Sequence, residues 1–314
     1  MAGNFQYRQV FSNEFLLQDR IQKIQQIIRK YGEENFYVSF SGGKDSTVLS
    51  ALIDMALPDN KIPRVYANTG IEYRLILDFV ERERERQHNW ELIILKPTIP
   101  IKPTLERDGY PFKSKIHSRF VERYQKYGMM KSVQAYVNRD YKGYNKRCPD
   151  KLKYQFTQDF TLKVSHKCCV RMKEEPLDHW SKENHRPYKI LGIMTDEHGA
   201  REKAQCLAFS RNDLKAFQPL TAVNKEWEDW FIKKYGIDIS DIYKSPYNLD
   251  RTGCKGCPFA LHLQKELDTL ERFFPAERKQ CEIIWKPVYD EYRRIGYRLR
   301  PLDEGRQMTL EEFE

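Results

Sequence analysis

The sequence predicts an α/β protein with a parallel sheet, a basic insertion and a helical C-terminal region. Apolar, β-branched segments alternate with amphipathic segments in the first third of the chain, and a glycine turn joins the first of these strands to its helix. Strands that alternate with helices form βαβ units, whose parallel strands are joined by right-handed crossovers. The alternation stops at residue 98 and resumes near residue 188, which indicates an insertion.

Residue periodicity places the individual elements. Strands are predicted at residues 36–40, 64–68, 91–95 and 188–194, and helices at 13–30, after 46, at 72–88, 224–235, 260–273 and 276–294. We expect three regions: an N-terminal helix in 1–34, an α/β domain in 35–260 with its insertion at about 98–165, and a helical region in 261–314.

Composition excludes two classes of protein. The chain has 314 residues, 40% hydrophobic residues and a mean hydropathy of −0.75, which is atypical of membrane or disordered proteins. Its N-terminal residues lack the long apolar stretch of a secretory signal, so we expect a cytoplasmic protein without a membrane partner. The net charge of +9 favours anionic partners. Seven cysteines, an odd number, argue against a disulfide framework.

The segment Ser41–Ser46, SGGKDS, has the features of a phosphate-binding loop. Adjacent glycines allow backbone N–H groups to converge on an anion, and the following helix directs its positive end to the same point. We expect Lys44, Asp45 and Ser46 to act in catalysis, with Asp45 available to Mg²⁺. The predicted nucleotide-binding residues here are Ser39, Ser41, Gly42, Gly43, Lys44, Asp45 and Ser46. The alternative is a plain glycine turn whose polar residues cap the helix.

Four of the cysteines form two pairs. Cys168 and Cys169 are adjacent, and Cys254 and Cys257 form a C-x-x-C segment flanked by glycines and proline. Four thiolates can close a tetrahedral site for zinc or an iron–sulfur cluster. The alternative is that these cysteines are unliganded core residues.

The remaining cysteines suggest simpler roles. Cys206 and Cys281 lie among apolar or helical neighbours and are expected to be buried. Cys148 follows Lys146 and Arg147, whose charges would favour its thiolate, so it is a candidate substrate-handling nucleophile.

SGGKDS resembles the PP-loop of the ATP pyrophosphatase superfamily, and the chain as a whole resembles the phosphoadenosine phosphosulfate (PAPS) reductase family within it. Other segments similar to family motifs are Ala67–Glu72, Cys168–Lys173, Leu191–Ile193 with Asp196, Glu197 and Arg201, and Gly253–Phe259. Asn68 departs from the aspartate usual at its position.

The resemblance implies a PP-loop fold of the adenine nucleotide alpha hydrolase type, with ATP and Mg²⁺ as cofactors. It adds Asn68, Thr69, Gly70 and Gly192 to the nucleotide site and Glu72, Asp196, Glu197 and Arg201 to the candidate substrate residues. The last three alternatively form a solvated loop. It also implies a 4Fe–4S cluster on Cys168, Cys169, Cys254 and Cys257, as in the sulfur-transfer subunit of DNA phosphorothioation systems, which the chain resembles most in its features.

Two departures separate the chain from sulfonucleotide reductases. Those enzymes carry a C-terminal Glu-Cys-Gly-Ile/Leu-His motif with the nucleophilic cysteine, whereas the last cysteine here is Cys281 and the chain ends in RQMTLEEFE. Their PP-loop is also usually degraded, whereas SGGKDS is intact. Both departures favour an enzyme that consumes ATP.

The basic charge lies in one segment. Residues 113–173 contain 16 Lys and Arg against 4 Asp and Glu, interleaved with six tyrosines at 124, 127, 136, 141, 144 and 154. Cations bind phosphates and tyrosines stack on unpaired bases, so this segment is a candidate nucleic-acid surface. The alternative is a solvated basic face whose tyrosines pack inward.

Three hypotheses follow. The first is an ATP pyrophosphatase that adenylates a substrate and supports sulfur transfer, served by a sulfur donor or partner protein. The second is a sulfonucleotide reductase that uses a different thiol and releases sulfite without consuming ATP. The third is a nucleotide-sensing subunit that binds ATP without turnover.

Overall fold

The computed structural model describes residues 12–138, 147–195, 204–211 and 213–301. The chain divides into two compact units that interleave along the sequence. Unit 1 comprises Met1–Ala67, Arg74–Leu95 and Leu177–Arg251, and unit 2 comprises Asn68–Tyr73, Lys96–Pro176 and Thr252–Glu314. The three regions predicted from the sequence stay predictions. Among the described residues, no helix is both long and apolar enough to cross a membrane.

The described helices include all six that were predicted, three more in the insertion and one after it. The helices are α1 (Asn13–Tyr31), α2 (Lys44–Ala56), α3 (Arg74–Glu85), α4 (Ile101–Asp108), α5 (Lys115–Tyr127), α6 (Lys131–Val137), α7 (Glu175–Glu183), α8 (Lys225–Tyr235), α9 (Leu263–Phe273) and α10 (Pro275–Arg294). The strands are β1 (Phe36–Phe40), β2 (Arg64–Ala67), β3 (Leu92–Leu95), β4 (Tyr188–Ile190), β5 (Leu207–Ser210) and β6 (Asp213–Phe217).

Unit 1 contains a six-stranded sheet in the order β3-β2-β1-β4-β6-β5. All neighbouring strands are parallel except β5, which pairs antiparallel with β6. The predicted α/β class with a mostly parallel sheet is therefore confirmed. The sequence did not predict β5 and β6, because both are short and their apolar residues alternate with polar ones over too few positions to give a clear period.

Side chains alternate across β1 and so contribute to two apolar clusters on opposite faces of the sheet. Phe36 and Val38 belong to the larger cluster, which α1, α2 and α8 complete, and Tyr37 belongs to a smaller one with Trp180. The strand that leads into the SGGKDS loop is thus fixed from both faces. This rigid support determines where the loop begins.

The insertion is helical rather than irregular. Three prolines near its start suggested an interrupted segment, but Pro103 lies in the first turn of α4, where its missing N–H is tolerated. The helix α5 begins at a cap in which Ser114 accepts a hydrogen bond from the His117 amide. Most of the basic segment therefore lies on folded elements of unit 2.

His117 should make the stability of unit 2 depend on pH. Its ring is fully buried and bonded to Tyr136 Oη (2.9 Å) and Gln155 Oε1 (2.6 Å), and burial lowers its pKa to about 3. Below about pH 6.5 the imidazole takes up a proton in the unfolded chain but not in the folded one. The free energy of unfolding should therefore fall by about 1.4 kcal/mol for each unit by which the pH is lowered from about 6.5 toward the folded-state pKa. Chemical denaturation between pH 7 and pH 4 measures this slope, which His117→Gln should reduce. The exposed His179 supplies the control variant His179→Gln, and equal slopes in both variants would contradict the assignment.

Candidate functional site

The SGGKDS loop joins β1 to α2 in unit 1. Gly42 has a φ of +67°, and a β-carbon there would stand 2.7 Å from Val80 Cγ2, so only glycine fits. Gly43 is the N-cap residue of α2, whose first turn carries Lys44, Asp45 and Ser46. The loop thus lies at the N-terminus of a helix, where backbone N–H groups favour an anion.

Hydroxyl groups fix the shape of this loop. Ser46 Oγ lies 2.9 Å from Ser41 Oγ, accepts a hydrogen bond from the Ser41 amide (3.1 Å) and donates to the carbonyl of Gly43 (2.9 Å). Ser39, also predicted to bind nucleotide, is half-buried on β1. A β-carbon at Gly192 would stand 2.8 Å from the carbonyl oxygen of Asp45, so this predicted residue lies directly against the loop.

Two carboxylates of α8 hold the Lys44 ammonium group. Lys44 Nζ lies 2.9 Å from Asp229 Oδ1 and 3.3 Å from Glu228 Oε2, and the Glu228 side chain is buried. Neither carboxylate oxygen of Glu228 has a hydrogen-bond partner among the described atoms. The pKa of Glu228 is raised to about 7, first because the group is buried and then because the Asp45 carboxylate is near, against the opposing charge of Lys44. Sequence reasoning missed Glu228, because its helix is separated from the loop by most of the chain.

The segment after β2 belongs to unit 2. Glu72 is buried and accepts hydrogen bonds from Thr69 Oγ1 (2.7 Å) and from the amides of Thr69 and Ile71, and Asn68 Oδ1 accepts from the Gly70 amide. Glu72, predicted to contact substrate, thus holds its own loop together. Thr69 Oγ1 also lies 3.9 Å from Cys254 Sγ, which connects this loop to the cysteines.

All four cysteines of the predicted cluster lie in unit 2. Cys168 is buried and the other three are half-buried. The thiols are near enough to influence one another: the hydrogen bond that Cys168 donates to Cys169 and burial raise the pKa of Cys168, and accepting this bond lowers the pKa of Cys169 to about 6. Burial raises the pKa of Cys254 and of Cys257. Four thiols are a suitable donor set for an iron–sulfur cluster or zinc. As positioned, however, the described residues include no group of three or more Cys, His, Asp or Glu with the arrangement of a metal site.

Aromatic side chains of α10 hold the C-x-x-C loop in place. Trp285 Nε1 donates to the carbonyl of Lys255 (3.1 Å), Tyr289 Oη donates to that of Gly256, and Tyr292 Oη donates to that of Pro258 (2.9 Å). These donors recur at the spacing of one helix face. Sequence reasoning recognised the helix but not this role, although the spacing of the aromatic residues was a usable signal.

Gly256→Ala should disrupt the C-x-x-C loop. Gly256 has a φ of +61°, and a β-carbon there would stand 2.4 Å from Tyr289 Oη and 2.8 Å from Cys281 Sγ. Backbone strain and overpacking together should cost about 3 kcal/mol. Gly253 is the matched control, because a β-carbon there has nothing within 4 Å. Thermal unfolding of both variants measures the difference, and an equal, small loss would refute the close contact.

The other candidate residues differ in their placement. Cys148 is fully buried, with its Sγ 3.5 Å from the carbonyl of Pro149, so its thiol is not presented to a substrate in this structure. Cys281 is buried, as expected, and Cys206 is half-buried. Asp196, Glu197 and Arg201 lie outside the described residues.

The tyrosines of the basic segment are divided in their exposure. Tyr136 is buried and stacks on Phe120 with ring centroids 4.3 Å apart, whereas Tyr127 is 69% exposed. Tyr124 and Tyr154 are half-buried, and Tyr141 and Tyr144 lie outside the described residues. Tyr136 therefore packs inward, as the alternative of a solvated basic face predicts. Tyr127 is the tyrosine whose ring is accessible, as the hypothesis of a nucleic-acid surface requires.

One family model matches part of the chain. Residues 35–147 match the model of the phosphoadenosine phosphosulfate reductase domain, so the sequence-based recognition of this domain is confirmed over that range. No curated protein matches the sequence. The resemblance to phosphorothioation subunits stays a prediction.

Several solved structures are similar at low identity. A phosphoadenylyl-sulfate reductase from Candida auris has 12% identity and a TM-score of 0.45 over 78% of this chain and 96% of its own. A tRNA thiolase from Methanococcus maripaludis, solved with its 4Fe–4S cluster, has 14% identity and a TM-score of 0.39 over 91% and 80%. An NH3-dependent NAD synthetase from Campylobacter jejuni subsp. jejuni has 12% identity and a TM-score of 0.40 over 94% and 100%.

Proposed function

We propose, from the premise that residues 35–147 carry a phosphoadenosine phosphosulfate reductase domain, that this protein is an ATP pyrophosphatase that adenylates an acceptor. The observation that carries the proposal is the intact SGGKDS loop, with Lys44 in the first turn of α2 and the hydroxyls of Ser41 and Ser46 bonded across it. An adenylyltransferase needs such a loop because its leaving group is pyrophosphate. A reductase acting on an already activated nucleotide does not.

In the proposed reaction an acceptor oxygen forms a bond to the α-phosphorus of ATP. The bond from that phosphorus to the bridging oxygen breaks, pyrophosphate leaves with the electron pair, and the acceptor proton passes to water. Negative charge develops on the pyrophosphate, where the loop amides and the Lys44 ammonium group would stabilise it. Lys44 would exchange Asp229 and Glu228 for phosphate oxygens at this point, so the two carboxylates keep the ammonium group near the loop until ATP binds.

Asp45 and Glu228 are the residues that we expect to hold Mg²⁺. Mg²⁺ is usually bound through one or two carboxylates together with substrate phosphates. Glu228 is buried without a hydrogen-bond partner among the described atoms, and the nearby Asp45 carboxylate contributes to its raised pKa. A cation beside these two groups would compensate the cost of burying the Glu228 charge.

Glu228→Gln should raise the Mg²⁺ concentration needed for half-maximal pyrophosphate release by about tenfold. The substitution keeps the shape of the side chain and removes its charge. Glu226→Gln is the matched control, because Glu226 lies in the same turn of α8 but is exposed. A titration with Mg²⁺ at saturating ATP measures the effect, and an unchanged requirement in Glu228→Gln would exclude this role.

The second part of the proposal is sulfur transfer supported by a 4Fe–4S cluster. Cys168, Cys169, Cys254 and Cys257 would hold the cluster, which would supply a site for binding sulfide. Hydrosulfide would displace AMP from the adenylated acceptor: a carbon–sulfur or phosphorus–sulfur bond would form, the bond to the adenylate oxygen would break, and AMP would leave with the electron pair. Support comes from the chemistry of the four thiols and from the aromatic donors that fix the C-x-x-C loop.

Anaerobic purification tests the cluster. Iron and sulfide in about a four-to-four ratio, with charge-transfer absorbance in the visible range, would support it. Stoichiometric zinc would instead favour the zinc alternative, and metal-free protein would refute both. Cys254→Ser should remove the iron, whereas Cys206→Ser should not.

Anaerobic incubation with ATP labelled at the α-phosphate tests the overall function. AMP and pyrophosphate formed only with an acceptor (tRNA, DNA or a sulfate nucleotide are the candidates) would support adenylation. Sulfite formed from phosphoadenylyl sulfate and thioredoxin without ATP would favour the reductase instead. Tight ATP binding without turnover would favour a nucleotide sensor.

A further inference from the structure

Unit 2 contains a cavity of about 640 Å³ in the basic insertion. Its volume is in the range of small-molecule sites, roughly 300–1,000 Å³. Four cations and two aromatic rings are prominent in its lining: Arg107, Lys126, Lys163, Lys167, Tyr124 and Phe160. This combination is suited to a ligand that has both anionic and planar aromatic groups.

The cations outnumber the acids around the cavity. Glu122 pairs with Lys126 (2.9 Å) and Lys167 (3.0 Å), and Asp108 pairs with Arg107 (2.7 Å). Lys163, by contrast, donates to the backbone carbonyl of Arg107, a neutral group. The lining therefore keeps a net positive charge, and Lys163 contributes a charge that no carboxylate of the described lining neutralises.

The wall that carries Lys163 is preformed. The Lys163 carbonyl accepts a hydrogen bond from the Tyr110 amide (2.8 Å). The Gln125 side chain bonds the peptide groups on both sides of Lys163: its NH₂ group donates to the Leu162 carbonyl (2.7 Å), and its oxygen accepts from the Val164 amide (3.1 Å). Gly109 has a φ of +103°, and a β-carbon there would stand 3.0 Å from the Lys163 carbonyl oxygen. Because these groups are already fixed, ligand binding at this wall should cost little conformational entropy.

Aromatic rings lie at the same cavity. Phe160 is half-buried and packs edge-to-face on Tyr154 with centroids 5.5 Å apart, and Tyr124 packs similarly on Phe156 at 5.7 Å. The 69% exposed Tyr127 follows in the chain. Unpaired bases stack on aromatic side chains that are held in place and remain partly accessible. Such stacking contributes about 1–3 kcal/mol of binding free energy per base.

We propose that this cavity binds one nucleotide of a single-stranded nucleic acid, with the phosphate near Lys163 and the base against Phe160 or Tyr124. A nucleotide has the two chemical features that the lining complements. The cavity is also contiguous in sequence with the cysteines, because its lining residue Lys167 directly precedes Cys168. The inference extends the proposed function, since it names the class of acceptor and where unit 2 holds it.

Binding of a labelled single strand of about 12 nucleotides, a length within the usual site sizes, tests the proposal by fluorescence anisotropy of the full chain at low salt. We expect Lys163→Glu and Phe160→Ala each to weaken binding about tenfold, with thermal unfolding checked in parallel. Lys286→Glu is the matched control, because it makes the same charge change on α10 at an exposed position outside the lining. AMP as competitor distinguishes a free nucleotide from a strand.

Each outcome decides the proposal. Selective loss in Lys163→Glu supports it. No binding by the native chain, or equal loss in Lys286→Glu, overturns it. A Lys163-dependent affinity for AMP with unchanged affinity for the strand also overturns it, in favour of a free nucleotide. Pyrophosphate release from ATP is measured separately, so strand binding without release would refute the adenylation proposal and leave the cavity assignment standing.

Discussion

Lys44→Met is expected to lower acceptor-dependent pyrophosphate release by about 100-fold, the scale of losing one charge-stabilising group in a reaction of this kind. Lys44 is the cation of the SGGKDS loop, and its Nζ already lies within 3.3 Å of two α8 carboxylates that phosphate oxygens would replace. ATP binding should weaken less than turnover, because most of the charge develops as the pyrophosphate leaves. Single-turnover assays separate the two.

The loss of activity must be distinguished from a loss of stability. Removing the ammonium group leaves the buried Glu228 carboxylate with less compensation, so Lys44→Met should also unfold more readily. The double variant Lys44→Met with Glu228→Gln should recover stability and stay inactive. Lys30→Met, at an exposed position of α1, controls for the loss of a positive charge. Native-like release in a folded Lys44→Met would refute the role of Lys44.

Asp54→Ala should cost about 3–5 kcal/mol of unfolding free energy, because it leaves a buried charge without its partner. Arg64 is completely buried on β2, with its guanidinium 2.6 Å from Asp54 Oδ1 and 4.3 Å from the ring of Trp90. Trp90 Nε1 also donates to the Asp54 carboxylate at 3.0 Å. One substitution thus removes the counter-ion of the arginine and the acceptor of the tryptophan.

Asp78→Ala is the comparison for this experiment. Asp78 pairs with Arg74 at 2.8 Å on the surface of α3, where both side chains are well exposed. Such a pair should contribute about 0.3–0.5 kcal/mol. Urea denaturation of the two variants at neutral pH measures the contrast. Comparable losses would show that Arg64 is compensated by its other hydrogen bonds to Ser50 and Asn60.

The local sequence was sufficient to predict the features that depend on residues within a single segment. The predicted strand at residues 36–40 and the SGGKDS turn agree with the structure, because a buried strand, a positive-φ glycine and a helix N-terminus each depend on neighbouring residues. Gly192 came instead from family resemblance, and its place against Asp45 is a tertiary contact.

The insertion marks where local reasoning failed. Prolines and charges in residues 98–165 gave no clear period, yet the segment folds into helices around the buried His117. The buried side of this insertion includes polar and aromatic groups that bond to one another, so a count of apolar residues underestimates it. The same reasoning could not separate the buried Tyr136 from the exposed Tyr127.

The sequence by itself determined the fold class, the phosphate-binding loop and the pairing of cysteines within each motif, because these follow from interactions between residues close in the chain. Only the tertiary structure decided which distant groups meet. Asp229 reaches Lys44 from 185 positions away, and Tyr289 of α10 bonds Gly256 from 33 positions away. Contacts of this kind depend on how whole elements pack, and the sequence around one partner does not say which distant residue it will meet.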